Sequence, residues 1–255
     1  AESFYTLDNN DARTETPEQA RDLDKMTRLA WVGHPKLFVI DNATDFEGKL
    51  NKLVSITSEL VGLPSTNKNM TVKYLLNSIP DVNKFPEDLT YNMFEVEKVY
   101  LYDVEKTNAA DKNYAEEYSF IRKRTHLSDD GMQLGSSYGL TTVHITHSGK
   151  EVEVKRIITQ REYNTAYKNR DMNRHVVKQK RVSFIWNMQS FNIHMYREPA
   201  NVENLCLVQI QTSGDAEKGG GASSVDMPDF LDVQRILVDC KEDKERFGAF
   251  SISLR

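Results

Sequence analysis

Residues 117–126 read Glu117-Tyr118-Ser119-Phe120-Ile121-Arg122-Lys123-Arg124-Thr125-His126. In an extended chain alternate side chains point the same way, so Phe120, Arg122 and Arg124 share one face. Inward positions of an ordinary β-barrel are apolar, so arginines beside a phenylalanine force a choice. Either the charged side is a wet outer face, or the strand lines a polar lumen. Buried cations are costly unless paired. A lumen of this kind therefore implies a polyanionic ligand, because arginine forks and lysine heads both suit phosphate oxygens.

The same period continues on both sides. Candidate strands are 93–101, 117–126, 139–147, 151–158, 175–186, 190–196, 205–212 and 232–239, with a helix at about 159–169. Eight long strands joined by short polar loops predict a closed barrel or a sandwich. Lys178 and Lys180 share a face. Glu95 and Glu97 share another, opposite Phe94 and Val96, and His144 lies opposite Val143 and Ile145. Trp186 and Phe191 flank a hairpin and read as core.

Before the strands, residues 1–65 read α-β-α. Thr16-Pro17-Glu18-Gln19 is a capping box with proline at the first helical position. Leu37-Phe38-Val39-Ile40 reads as a buried strand, and Thr44-Asp45-Phe46-Glu47 as a second capping box. A single strand between two helices is not a stable unit. Residues 66–90, with Pro80 and Pro86, read as a linker carrying a short helix at Val72–Ser78, and residues 91–255 as the β domain. The chain opens on Ala1 rather than Met, which reads as a piece of a longer one.

Charged residues are 28% of the 255 and the net charge is -5, so a soluble protein is expected and a general nucleic-acid binder is not; two cysteines point to a reducing cytoplasm. The average hides a basic stretch: residues 151–200 hold 10 Lys/Arg against 5 Asp/Glu. Cys206 and Cys240 are too few for a structural zinc site and read as buried thiols. His126, His144 and His194 could meet inside a barrel, but no spacing supports a metal centre.

The order of motifs resembles the CYTH, or triphosphate-tunnel, superfamily. Its Glu-x-Glu, Arg-x-Arg, Lys-x-Arg, Glu-x-Glu and Pro-x-Phe-Leu elements correspond to Glu95-Val96-Glu97-Lys98, Arg122-Lys123-Arg124, Lys178-Gln179-Lys180-Arg181, Gln209-Ile210-Gln211 and Pro228-Asp229-Phe230-Leu231. Phe4-Tyr5, Arg13, Glu15-Thr16, Trp31-Val32-Gly33-His34-Pro35 and Val39-Ile40-Asp41-Asn42 resemble the last part of NadR-like P-loop domains. The combination resembles the TRPL translocation defect protein 14 family. The resemblance implies an α+β fold: an eight-stranded antiparallel CYTH-like tunnel preceded by a helical αβ remnant of a P-loop domain. It implies Arg122, Arg124, His144, Lys178, Lys180 and Arg181 as phosphate ligands, Arg13 as a nucleotide-lid residue, and Glu95 and Glu97 as ligands of Mg. It also implies GTP or an anionic phospholipid headgroup (phosphatidic acid, a phosphoinositide) as ligand, with peripheral membrane contact in trafficking.

Departures from that pattern favour binding over catalysis. No Gly-x-x-x-x-Gly-Lys-Ser/Thr loop occurs in the chain. Gln209 and Gln211 replace the second carboxylate pair, Val99 stands in place of the first-motif lysine, and Lys98 is expected on the other face. Three functions follow: a phosphate-ligand-binding module, a Mg-dependent triphosphate hydrolase using Glu95 and Glu97, and a structural barrel whose charges pair internally.

Overall fold

The structure, a computed structural model of the chain, describes residues 14–34, 36–40, 45–61, 71–102, 116–145, 147, 151–211, 225–238 and 241–255. Helix α1, Pro17–Ala30, starts where Thr16 accepts from the Gln19 amide and the Gln19 side chain returns to the Thr16 amide. Helix α2, Phe46–Leu60, is capped by Asp45, whose carboxylate accepts from the Gly48 amide at 2.8 Å. Leu37–Ile40 is half-buried and irregular rather than a strand. An apolar run becomes a strand only where a neighbour satisfies its backbone groups, and among the described residues none runs beside it. Arg13 and Thr44 lie outside the described residues.

Nine strands form one antiparallel sheet: β1 Thr71–Leu76, β2 Tyr91–Tyr100, β3 Glu116–Leu127, β4 Gln133–Ile145, β5 Glu151–Ile158, β6 Val177–Trp186, β7 Gln189–Glu198, β8 Cys206–Gln211 and β9 Val233–Leu237. Their order is β5-β4-β3-β2-β6-β7-β8-β1-β9. The ninth strand is β1, in the stretch that reads as linker with a short helix. Its Val72 and Tyr74 oppose Ile210 and Val208, so pairing with a buried strand decides its conformation. The sheet is open: β5 and β9 are its edges, and among the described residues no ladder joins them.

One face carries two covered apolar patches, with the charged rows of Glu95, Lys180, Glu97 and Lys178 between them. Met93, Val182, Phe184, Phe191, Ile193 and Val208 form its main core, under Phe85 and Leu231 of the loops before β2 and β9. The Pro228 turn brings Phe230 to 4.6 Å from Phe85 and 5.6 Å from Trp186. Helix α3, Gln160–Tyr167, begins on the Thr159–Glu162 capping box and covers Val99, Ile121 and Ile158 of the same face with Tyr163. Cys206 is buried here, and burial pushes its thiol up to about 12. The opposite face is concave and polar in the middle. At one end it is sealed by Tyr100, Phe120, Tyr196 and Leu207 packed against Phe247 and Ile252 of two short helices, α4 Lys241–Phe247 and α5 Ala249–Ile252. Phe250 stacks on Tyr118 at 3.8 Å, and the Arg174 guanidinium lies 3.6 Å over the Phe250 ring. Among the described residues no helix is long and apolar enough to cross a membrane.

Candidate functional site: a basic concave face

Register decides which charges meet. On the concave face Phe94 stands opposite His126 and Arg181, Lys98 opposite Arg122, and Arg181 opposite His194. The next row is Asn92, Ser183, Asn192, Gln209 and Lys73. A cavity of ≈ 30 Å³ touches Gly33, Phe94, Arg122, Arg124, Arg181, Ser183, Asn192, His194 and Gln209. These come from five consecutive strands, β3, β2, β6, β7 and β8. A flat sheet would spread five strands over about 19 Å, so the sheet is strongly curled around this space. Lys73 of β1 and Glu153 of β5 also act electrostatically on Lys98, which extends the curl on both sides.

Lys98 and Arg181 are half-buried among the strands. Burial, then Arg181 and Arg122, push the Lys98 ammonium down to about 7, against the pull of Glu153. Burial and the neighbouring Arg122 push Arg181 down to about 9 and Arg124 down to about 10. Burial, followed by Arg181 and Lys98, drives His194 well below the usual imidazole range, so it is neutral at pH 7. Burial works to raise the Glu153 carboxyl, but its ion pair with Lys155 and the charge of Lys98 leave it below the usual range.

Hydrogen bonds use part of this donor set. Arg181 donates through Nε and Nη2 to Gln179 Oε1 at 2.9 and 2.6 Å. Arg124 donates through Nη2 to the Gly33 carbonyl at 2.7 Å and lies 3.6 Å over the Phe94 ring. Among the described residues no carboxylate lies within ion-pair distance of Lys98, Arg122, Arg124 or Arg181.

The sequence-predicted site therefore divides between two faces. Arg122, Arg124, Arg181 and Gln209 meet on the concave one. Lys178, Lys180, Glu95, Glu97 and His144 lie on the other, which corrects the expectation that all would face one lumen. There, Lys178 Nζ pairs with Glu198 Oε1 at 3.0 Å, Tyr163 donates to Glu97 at 2.6 Å, Gln133 donates to Glu95 at 3.1 Å, and His144 Nδ1 meets Glu117 at 2.8 Å. The registers Glu95↔Lys180 and Glu97↔Lys178 show why: the two motifs oppose each other and share a face, the outer one. Gln211, on the concave face, accepts from Thr71 Oγ1 at 2.7 Å. Lys98, expected on the face away from the tunnel, is concave beside Arg122, which corrects that expectation; His126 and His194 are concave too, but His144 is not, and Lys73 joins them from β1, which the motif reading did not include. For His194 the signal is polar residues at alternate positions of the otherwise apolar runs 190–196 and 205–212, where Asn192, His194 and Gln209 alternate with Phe191, Ile193 and Val208. The small space is lined by guanidinium, imidazole and amide groups and by no carboxylate, a donor set that does not fit Mg, which needs several oxygen ligands.

No family model matches the chain, and no curated protein matches it. Among solved structures it is similar to the PH1012 protein of Pyrococcus horikoshii OT3, at 12% identity and a TM-score of 0.34, over 56% of this chain and 77% of that one. At that score the likeness carries no argument about fold or function.

Proposed function

We propose that the concave basic face binds a phosphate-bearing anion. The observation that carries the reading is the convergence of Arg122, Arg124 and Arg181 on one small space, with Lys98 opposite Arg122 and no carboxylate at ion-pair distance of the four among the described residues. Each charge-assisted hydrogen bond to a phosphate oxygen contributes about 1.5–3 kcal/mol. Burial lowers Lys98 and Arg181 most, and a polyphosphate would relieve the like-charge repulsion that adds to it. The resemblance to CYTH tunnels and to the TRPL translocation defect protein 14 family is consistent with this chemistry. It puts nucleoside triphosphates such as GTP, polyphosphate and anionic phospholipid headgroups among the candidate ligands, with a regulatory role at membranes.

The test is thermal unfolding of the chain at low ionic strength, with and without tripolyphosphate. Ligand at a hundred times its Kd stabilises by about 2.7 kcal/mol, a rise of roughly 5–10 °C for a chain of this size. A neutral sugar should give no rise. Arg122→Met should abolish most of the response and leave the unliganded melting temperature equal or higher, because it removes a buried like charge. A lower melting temperature for Arg122→Met, beside a wild type that ignores tripolyphosphate, would leave a structural barrel instead.

A further inference from the structure

The open end of the concave face is occupied by the chain itself. The turn after α1, Trp31–His34, lies there, opposite the end sealed by Phe247 and Ile252. The Gly33 carbonyl accepts from Arg124 Nη2 at 2.7 Å, and the Val32 carbonyl accepts from Asn92 Nδ2 at 3.1 Å. Val32 is only 5% exposed. Gly33 has φ +91°, and a Cβ there would fall 2.5 Å from the Phe94 ring and 2.6 Å from Arg124 Nη2. No side chain other than hydrogen fits that approach. Burial, followed by Arg124, Lys155 and Arg122, holds the His34 imidazole below its usual range, and its Nδ1 accepts from the Lys36 amide at 3.2 Å.

The space left beneath the turn is ≈ 30 Å³. That is room for about two waters at most, less than a phosphate group needs. The Gly33 carbonyl takes one of the two Nη2 hydrogens of Arg124, and the turn that carries it fills the room a phosphate would need beside that guanidinium. The unit carrying the turn is also lightly held. Helix α1 buries no side chain, its Leu23 and Met26 are 55% and 67% exposed, and Arg28 donates to Met188 Sδ of the β6–β7 turn.

We infer that the Trp31–His34 turn is a built-in competitor for the anion site. Its Gly33 carbonyl holds the place of a phosphate oxygen on Arg124, and an anion enters by lifting the turn. The inference rests on the anion-binding reading and adds its regulation. Apparent affinity is the intrinsic affinity multiplied by the fraction of molecules with the turn lifted, so anything that loosens α1 strengthens binding.

Calorimetric titration of the 255-residue chain with tripolyphosphate, alongside Gly33→Ala and Val32→Ala, tests this. Both variants should bind more tightly, on the order of tenfold. The first cannot seat the turn, and the second weakens its anchor without touching the sheet. Hydrogen exchange of the Val32 to His34 amides in the wild type should become faster when tripolyphosphate saturates it. Slower exchange there, or variants that bind no better than a wild type that does bind, would overturn the competitor role while leaving the site. Absence of binding by all three proteins would remove the site reading itself and the competitor role with it. Should Gly33→Ala fail to fold, Val32→Ala and the wild-type exchange still decide.

Discussion

Lys98 is opposed across the ladder by Arg122 on one side and Val177 on the other, and neither offers a negative charge. Its lowered pKa has a sign that unfolding experiments can read. Between about 7 and the ordinary lysine value of 10.5 the unfolded chain binds the proton and the folded chain has released it. Stability therefore rises with pH through that window, and the full cost of the buried ammonium is present below pH 7. The neutral His194 adds the same sign lower down, and Arg181 and Arg124 add it higher up. The urea midpoint is thus expected to increase from pH 6.5 to 8.5, with a clearly smaller increase in Lys98→Met. Saturating tripolyphosphate should flatten the wild-type slope, since a bound anion keeps Lys98 protonated. Equal slopes for wild type and variant would show that Lys98 is hydrated and ordinary.

Strand β6 carries Lys180 and Arg181 side by side in sequence and on opposite faces of the sheet. That adjacency gives a test of the face assignment. Arg181→Met should weaken tripolyphosphate binding by roughly ten- to a hundredfold, the worth of one charge-assisted hydrogen bond. Lys180→Met should leave the affinity within about twofold, the outer-face lysine being screened and remote. The reverse ranking would mean that the outer face carries the ligand. The same strand shows what the sequence could disclose. Period two groups Phe120 with Arg122 and Arg124, and it bounds the strands to within a few residues. It does not say which parity points inward where both carry charge, as they do in β2, β3 and β6. That choice is made between strands: Phe184 must meet Phe191 and Met93 must meet Val182 to build the apolar face, and this turns Glu95, Glu97, Lys178 and Lys180 outward. The β1 strand was illegible for a related reason. Thr71–Leu76 is short and follows a polar stretch, and its conformation comes from β8 and β9, which are distant in sequence. The Gly33 contact left only a glycine in a turn as its trace.

Across the whole molecule, one concave space is bounded by three different parts of the chain: the curled sheet, the turn after α1, and the α4–α5 pair. The last is the sturdiest. Phe250→Ala would remove the ring stacked on Tyr118 and the platform under Arg174, whose Nη1 also donates to the Phe250 carbonyl at 2.6 Å. A loss of about 3 kcal/mol is expected, read as a lower urea midpoint; a loss under about 1 kcal/mol would mean that the sealed end is held by Phe247 and Ile252 alone. The sheet's connectivity has a consequence in time. Thr71 of β1 bonds to Gln211 of β8 across 140 residues of sequence, and β1 sits between β8 and β9, the last two strands to be made. At roughly 5–20 residues per second of synthesis, β1 waits on the order of 7–30 s for its first partner. During that wait its Val72, Tyr74 and Leu76 have no sheet to cover them, while β2 to β5 can zip as successive hairpins as soon as each emerges. The early chain is thus an orderly meander trailing one unclaimed strand, and that strand is the segment a chaperone or an aggregating neighbour would meet first.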